Sequence, residues 1–436
     1  MKERKSVPKA KAKLLDIRFE SDIVSEPTPI AAKPGKKGGS KGQIWEFIAI
    51  ATVPLVLVLG NSMLIPVLPD MKKALNLSQF QTSLIITLFS VTAGIAIPII
   101  GYLSDRFGRK PIIIPALILY GSAGLLAGFA AVWKSYPILI TARALQGLGA
   151  AGTASIAMAL VGDLYKGGTQ SKALGLVEAS NGAGKVISPI IGSLFALIVW
   201  YAPFFAFPGF CLLSLLAVMF LIKEPEKDAK PQKLKAYLQD AKQIFKQKGK
   251  WLIPSFFAGA LALFILFGVL FYLSDILEKK PYNIDGVKKG FVLAIPLLGL
   301  VITSYTTGSL IKKNGVLMRW LMNIGLAVMA AALALTIFFF KNIYVFIGLL
   351  TLSSIGTGLL LPCLNTMITG STEKQQRGMV TSLYNSLRFL GVAFGPPLFG
   401  WMMGISNRTV FITVSALAVL TLGLVFFMIK PAKEVG

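Results

Sequence analysis

Four charged residues stand deep inside long apolar segments of this sequence: Arg143, Glu178, Lys185 and Arg388. A charge in an apolar segment is costly to bury, so such residues usually serve a function or have a specific partner. Glu178 is the single acid among the four, and a carboxyl group in such a place can take up and release a proton. The cations outnumber it, and this balance favours an anionic or weakly acidic ligand over a lipophilic cation.

Polar residues beside these charges complete the predicted ligand cavity. Asn181 lies between the acid and Lys185, which are seven residues apart and therefore occupy nearly the same helix face. Tyr384 and Asn385 precede Arg388 and are assigned to the same cavity. The alternative is that Lys185 and Arg388 point elsewhere, extend to the membrane surface or pair with the acid.

The segments that carry these residues are long and almost free of charge. The chain has 436 residues, of which 55% are hydrophobic and 14% charged, and its mean hydropathy is +0.71. Such a composition is typical of a polytopic membrane protein, and continuous apolar runs predict helices rather than short alternating barrel strands. The twelve predicted spans lie near residues 44–67, 80–102, 111–133, 136–160, 171–199, 202–222, 251–273, 287–311, 318–340, 342–367, 375–403 and 408–429.

The basic composition raises the question of nucleic-acid binding, because 44 Lys and Arg against 19 Asp and Glu give a net charge of +25. Most of these cations, however, fall on the side of the membrane where both termini would lie. The positive-inside rule therefore predicts cytoplasmic termini and places the excess charge against anionic lipid headgroups, so we expect no nucleic-acid partner. The sequence has no histidine, the usual metal ligand, and no nucleotide-binding loop. We expect no metal and no cofactor.

Two tails and one linker separate the predicted domains. Residues 1–43 form a basic cytoplasmic tail whose composition predicts disorder, and residues 430–436 form a second cytoplasmic tail. Residues 223–250 form a cytoplasmic linker, in which apolar residues recur at helical spacing and predict a basic amphipathic surface helix. The spans before and after the linker form an N-terminal bundle at 44–222 and a C-terminal bundle at 251–429.

The two halves are related by an internal repeat. At an offset of 207 residues, Gly184 falls on Gly391 and Pro189 falls on Pro396. A constant offset without gaps indicates two six-helix bundles of common design. Such a layout is typical of secondary transporters, whose substrate site lies near the membrane midplane between the bundles.

A short charged loop, GYLSDRFGRK at residues 101–110, joins the second and third predicted spans. Its glycines permit a sharp turn, and its cations hold the loop on the cytoplasmic side. The pattern G-x-L-x-D-R-x-G-R-K strongly resembles the cytoplasmic signature loop of the major facilitator superfamily. The residues that carry this resemblance are Gly101, Asp105, Arg106, Gly108, Arg109 and Lys110.

The resemblance implies a conformational latch at this loop. In the family, an acid at the cytoplasmic end of the fourth span, here Asp163, pairs with the last arginine of the loop, here Arg109. The loop aspartate, here Asp105, caps the eleventh helix of the opposite bundle. Together these contacts latch the outward-facing state.

The fourth span resembles a motif of the drug:proton antiporter branch of the same superfamily. Its sequence RALQGLGAA at residues 143–151 is similar to R-x-x-Q-G-x-G-A-A. The resemblance implicates Arg143 in proton coupling together with Glu178. The alternative is a structural role, in which Arg143 bonds to backbone carbonyl groups and fixes helix packing.

The fifth span resembles the antiporter motif G-x-x-x-G-P-x-x-G-G, which is associated with exporters. Its sequence is GKVISPIIGS at residues 184–193, with Ser188 in place of the second glycine and Ser193 in place of the last. Small residues and a proline are expected to bend this helix and thin its surface against the opposite bundle. The residues assigned to the motif are Gly184, Ser188, Pro189 and Gly192.

The resemblance implies an all-α integral membrane protein with twelve transmembrane helices in two pseudo-symmetric six-helix bundles, in the bacterial cytoplasmic membrane. The resemblance implies that the protein is not an enzyme. We predict proton-coupled efflux of small amphipathic compounds, as in antibiotic resistance, by a monomer whose partners are substrate, protons and lipid bilayer. A first alternative is a dedicated exporter of an anionic metabolite such as a catecholate siderophore. A second alternative is a non-transporting membrane sensor.

Overall fold

The computed structural model describes residues 40–165, 167–224, 234–311, 314–340, 342–370 and 374–430. The predicted tails therefore fall almost wholly outside the described residues. The described residues form long helices joined by short turns. The helices are α1 (Ser40–Ser62), α2 (Leu68–Ala74), α3 (Gln79–Phe107), α4 (Lys110–Val132), α5 (Tyr136–Ala151), α6 (Ala154–Leu164), α7 (Gly167–Ala196), α8 (Ala202–Leu221), α9 (Leu234–Leu277), α10 (Gly286–Ile311), α11 (Gly315–Phe339), α12 (Ile343–Gly370), α13 (Lys374–Ile405) and α14 (Asn407–Met428).

These helices make twelve spans, which confirms the predicted number and the all-α fold. A 3-10 turn at Ile65–Val67 and helix α2 extend the first span beyond α1, and α5 and α6 together make the fourth span. Within the described residues, ten spans are long and apolar enough to cross a membrane. The other two are α7 and α13, in which charged and polar residues dilute the apolar ones.

Helix α9 differs from the prediction. The sequence predicts a separate surface helix before a seventh span at 251–273, whereas the structure has one continuous helix of 44 residues. Gly249 does not end it, because a glycine inside a helix costs only about 1 kcal/mol. At 1.5 Å per residue the helix is about 66 Å long, so it extends well beyond a hydrocarbon core of about 30 Å. Its first turns pack on the protein, where the Tyr237 ring lies 5.2 Å from the Tyr102 ring.

Two helix pairs join the bundles: α3 packs along α13, and α7 packs along α10. The pairs are equivalent by the internal repeat. The 207 residues that separate Gln79 from Gly286 carry the start of α3 onto the start of α10, and the same offset carries Gly167 of α7 onto Lys374 of α13. The repeat inferred from a few glycines and prolines therefore extends to these interface helices. It brings α7 and α13, the two least apolar spans, to the contact between the bundles.

Candidate functional site: the signature loop and the charges between the bundles

The turn between α3 and α4 gathers its charges around Arg109. The Arg109 Nε donates a hydrogen bond to Asp163 Oδ2 at 2.7 Å, and its Nη1 lies 2.6 Å from Asp105 Oδ1. Nη1 also donates to Ser104 Oγ at 2.6 Å. Burial alone would lower the pKa of Arg109, but the two carboxylates outweigh burial and raise the pKa above its ordinary value. The structure therefore brings together the three residues that the resemblance assigns to the latch.

Glu224 supports this loop, and the sequence analysis missed it. Its two carboxylate oxygens accept hydrogen bonds from the backbone N–H groups of Arg109 and Lys110, each at 2.7 Å. Gly108 has a φ of +119°, which favours glycine, and a side chain there would lie 2.5 Å from Glu224 Oε1. A carboxylate is favourable at a helix N-terminus, but no sequence signal places Glu224, 115 positions away, at the start of α4.

The loop also faces the opposite bundle. A carbon atom added at Gly101 would lie 2.8 Å from Ser382 Oγ of α13, and one added at Gly378 would lie 3.9 Å from Asp105 Oδ2. Asp105 therefore lies beside an early turn of α13, the eleventh span. Arg106 is exposed and lies over the Phe107 ring. The latch itself stays a prediction.

Arg143 is completely buried, and residues of α1, α3 and α5 bind its guanidinium group. Its Nε donates to the Ile85 carbonyl oxygen at 2.8 Å, and its Nη1 donates to Gln146 Oε1 at 2.6 Å. Its Nη2 donates to Asn61 Oδ1 at 3.2 Å, and the guanidinium carbon lies 4.5 Å from the Phe89 ring centre. These contacts are the structural role that the sequence analysis kept as an alternative to proton coupling.

Lys185 of α7 and Arg388 of α13 belong to opposite bundles and lie within electrostatic reach of each other. Both are half-buried, and their charges repel each other, while Glu178 attracts Lys185. Arg388 Nη1 donates to Asn385 Oδ1 at 3.3 Å, and the guanidinium carbon lies 5.4 Å from the centre of the Tyr384 ring. The structure therefore brings together two cations from pseudo-equivalent helices.

Several polar atoms in this region lack a partner among the described residues. They are Arg388 Nε, Asn181 Oδ1 and the Tyr384 hydroxyl, all shielded from solvent. Asn385, in contrast, donates through Nδ2 to Ser155 Oγ of the N-terminal bundle at 3.3 Å. Buried polar groups are usually hydrogen-bonded, so unpaired ones beside two cations favour a polar ligand at this place.

Two expectations for α7 need correction. Glu178 is exposed rather than buried, because this face of α7 is uncovered: a carbon added at Gly175, one turn earlier, meets nothing within 4 Å. The motif glycines do not face the opposite bundle: Gly184 contacts α1, and a carbon at Gly192 would lie 2.1 Å from the carbonyl oxygen of Met63, the residue that follows α1.

Ser188 stands where the antiporter motif has a glycine, and its surroundings show how a serine fits there. Ser188 is buried and donates its hydroxyl to the Gly184 carbonyl oxygen one turn earlier, so the serine leaves no unpaired polar group. The Pro189 carbonyl and the Ser193 side chain are the groups that face the opposite bundle, where both lie against Gly290 of α10.

A second charged cluster lies at the end of the bundles opposite the signature loop. Glu278 binds both Lys73 and Lys289, and a cavity of about 720 Å³ beside it is also lined by Asp70 and Trp200. The sequence analysis assigned none of these residues to a site. They lie near span ends, where charges are common, and only the packing of the two bundles brings them together.

Comparisons with known proteins agree with this architecture. The Major Facilitator Superfamily profile matches residues 50–315 and 276–436. The human organic anion transporter MFSD10 (TETRAN) superposes with a TM-score of 0.71 at 19% sequence identity, covering 88% of this chain and 99% of that chain. This likeness shows the fold alone.

The sequence relatives are exporters and resistance proteins. The Bacillibactin exporter of Bacillus subtilis (strain 168) is 45% identical over 391 residues, which are 89% of this chain and 97% of the relative. Multidrug resistance protein 1 of the same strain is 28% identical over 356 residues, which are 80% of this chain and 87% of the relative. With the profile match and the twelve-helix fold, these relatives show that the chain belongs to the Major Facilitator Superfamily, a family of membrane transporters and not of enzymes.

Proposed function

We propose that this protein exports a small anionic metabolite of the catecholate siderophore class across a bacterial cytoplasmic membrane, in exchange for protons. The observation that carries this proposal is a pair of like charges from opposite bundles, Lys185 and Arg388, which lie within electrostatic reach of each other and leave Arg388 Nε unpaired. Two cations that repel each other in a half-buried place are stabilised by an anion between them. A carboxylate or catecholate there would gain charge-assisted hydrogen bonds in a medium of low dielectric constant.

The sequence comparisons support the same choice. The relative at 45% identity is a bacillibactin exporter, whereas the multidrug relatives match at lower identity. The dedicated exporter is therefore a better hypothesis than the broad multidrug efflux that the sequence motifs alone favour. The unpaired Arg388 Nε and Asn181 Oδ1 offer one donor and one acceptor for such a ligand.

Proton coupling and orientation are part of the proposal. Glu178 remains the candidate coupling residue on α7, since its exposure leaves it accessible for protonation and Lys185 lies within electrostatic reach. The signature-loop end faces the cytoplasm in this proposal, because the positive-inside rule assigns the basic loops and both termini to that side. The protein acts as a monomer with one substrate path.

Transport into inverted vesicles tests the substrate class. The substrates are bacillibactin, a simple catecholate and a cationic dye, and the variants are Lys185→Met and Arg388→Gln. We expect each variant to slow uptake of both anionic substrates at least about tenfold, the effect of roughly 1.4 kcal/mol, while the dye is unchanged or improved. Arg408→Gln, which removes an exposed cation of α14, is the matched control.

The same assay distinguishes the second candidate, multidrug efflux. The resistance relatives are the observation that favours it. If wild-type vesicles take up the dye but neither catecholate, or if Lys185→Met and Arg388→Gln reduce all substrates equally, general drug efflux is the better assignment.

A further inference from the structure

One carboxylate, Glu278, connects the two bundles at the end opposite the signature loop. Its Oε2 lies 2.7 Å from the Nζ of Lys73, which belongs to α2 of the N-terminal bundle. Its Oε1 lies 2.5 Å from the Nζ of Lys289, which belongs to α10 of the C-terminal bundle. The Lys289 side chain is 2% exposed, whereas that of Lys73 is 72% exposed. Glu278 is thus shared between a buried lysine of its own bundle and a solvent-exposed lysine of the other.

A second contact closes the same end. Ser274 of α9 donates its hydroxyl to the Ile65 carbonyl oxygen at 2.7 Å, directly between the bundles. Opening this end therefore requires that the Lys73 bond and the Ser274 bond both break. The serine bond is neutral and is insensitive to pH. Of these two contacts between the bundles, only the charged one can respond to pH.

Other charged groups face Glu278 from each neighbouring element. Asp70 and Lys73 face it from α2, and Asp285 precedes α10; Asp70 and Asp285 also line the 720 Å³ cavity beside Glu278. Asp275 of α9 is paired with Lys279 at 2.5 Å, within one stretch of chain. The cavity opens to solvent, so a proton can reach Glu278 without crossing the membrane.

We infer that Glu278 is a proton-binding gate residue, whose protonation releases Lys73 and opens the end of the bundles opposite the signature loop. The proton adds to a carboxylate oxygen of Glu278 and comes from water in the cavity. The neutral carboxyl group then binds Lys73 and Lys289 only weakly, and the two ammonium groups repel each other without the anion between them. Lys73, being exposed, is the one that leaves. This inference rests on the proposed function only in requiring alternation between two states.

The electrostatics of the closed state agree with this sequence of events. Burial would raise the pKa of Glu278, but the hydrogen bonds and charges of Lys289 and Lys73 outweigh burial and lower it. The closed state therefore holds Glu278 ionised. The stability that this ionised carboxylate gives the closed state over the open state is lost as the pH falls through the pKa of the carboxyl group. When Lys73 leaves on opening, part of the effect that lowers the pKa of Glu278 is lost. Glu278 therefore binds the proton more tightly in the open state.

A distance measurement between spin labels tests the gate without any substrate. The labels occupy Ser135→Cys, in the turn before α5, and Arg408→Cys, at the start of α14. Both lie at the end in question, on different bundles. The native Cys211 and Cys363 are replaced by alanine. In lipid nanodiscs, from about pH 7 down to about pH 3.5, a range that extends below the ordinary glutamate pKa of about 4.3, we expect the distance distribution of the full chain to shift to longer values.

Three variants decide the role of Glu278. Glu278→Gln should give the long distance at every pH. Lys73→Met leaves no buried charge unpaired, so it should fold normally and raise the long-distance population at high pH. Asp275→Asn is the matched control, since Asp275 and Glu278 are equally buried, at 9% exposure, but Asp275 pairs within its own bundle. It should retain the wild-type pH response.

The contrary results are equally definite. If wild-type distances do not respond to pH, or if Glu278→Gln responds as the wild type does, Glu278 is not the gate. An unchanged closed distance in Lys73→Met overturns the inference as well. Because no substrate is present, failure of catecholate transport would leave these results standing, and failure of the gate would leave the substrate assay standing.

Discussion

Glu224, which follows α8, caps the start of α4, and Lys110, the first residue of α4, caps the end of α8. The Glu224 carboxylate accepts hydrogen bonds from the N–H groups of Arg109 and Lys110 at the start of α4. The Lys110 Nζ donates to the carbonyl oxygens of Met219 and Ile222, at 2.7 and 2.8 Å, at the end of α8. A helix carries partial positive charge at its N-terminus and partial negative charge at its C-terminus, so both side chains are placed favourably. The pair fixes the signature loop to the sixth span.

Removing the Glu224 cap should weaken the protein measurably. We expect Glu224→Ala to lower the free energy of unfolding by about 1 kcal/mol, the usual cost of losing a helix N-cap. The measurement is thermal unfolding of the purified protein in detergent. Lys223→Ala, at the exposed neighbouring position, is the control and should melt like the wild type. Equal stability of the Glu224→Ala variant would mean that water replaces the cap at no cost.

The helices were predictable because their signal is local. Ten of the described spans are apolar runs of the length that a bilayer requires, and the correspondence of α7 with α13 follows from a repeat visible in single residues such as Gly184 and Gly391. The signature loop is also local, and Arg109 does meet Asp105 within one turn.

The pairs between distant segments were not predictable in the same way. Glu224 reaches the loop across 115 positions of sequence, and Lys73 reaches Glu278 across 205. No periodicity encodes such contacts, since they depend on where whole helices end in space. The exposure of Glu178 was missed for a related reason: a position inside a span is buried only if a neighbouring helix covers that face, and hydropathy alone does not report this.

The latch should control transport rather than assembly. Asp105→Asn and Arg109→Ala are expected to reduce transport at least about tenfold, equal to roughly 1.4 kcal/mol, while membrane insertion is retained. The reason is that these charges connect the loop to α6 and lie beside α13 rather than building the helices themselves. Arg408→Gln, which removes an exposed cation at the opposite end of the bundles, is the control. Full transport activity in both variants would remove the latch assignment.

Glu178 should affect coupling more than binding. The Glu178→Gln variant keeps the shape of the side chain but cannot titrate. We expect efflux driven by a pH gradient to be lost while downhill exchange of substrate survives. Vesicle transport with and without a gradient measures both. Asp275→Asn, which removes an acid that pairs with Lys279 within its own bundle, is the control. An unaltered pH dependence in the Glu178→Gln variant would move the coupling role to another acid, with Asp70 and Glu278 as the candidates.

Arg143 should be needed for its shape as well as its charge. A lysine at this position keeps the charge but has one nitrogen in place of the guanidinium, so it cannot bind the Ile85 carbonyl, Gln146 and Asn61 together. At least one buried acceptor is left unpaired, at a cost of about 1–3 kcal/mol.

We therefore expect Arg143→Lys to lower the melting temperature in detergent and to reduce transport in parallel. Arg408→Lys, at an exposed arginine, should change neither. A variant Arg143→Lys that melts normally but loses only gradient-driven transport would assign Arg143 to proton coupling, because stability would then be independent of the three hydrogen bonds. Parallel loss of stability and transport assigns it to holding α1, α3 and α5 together.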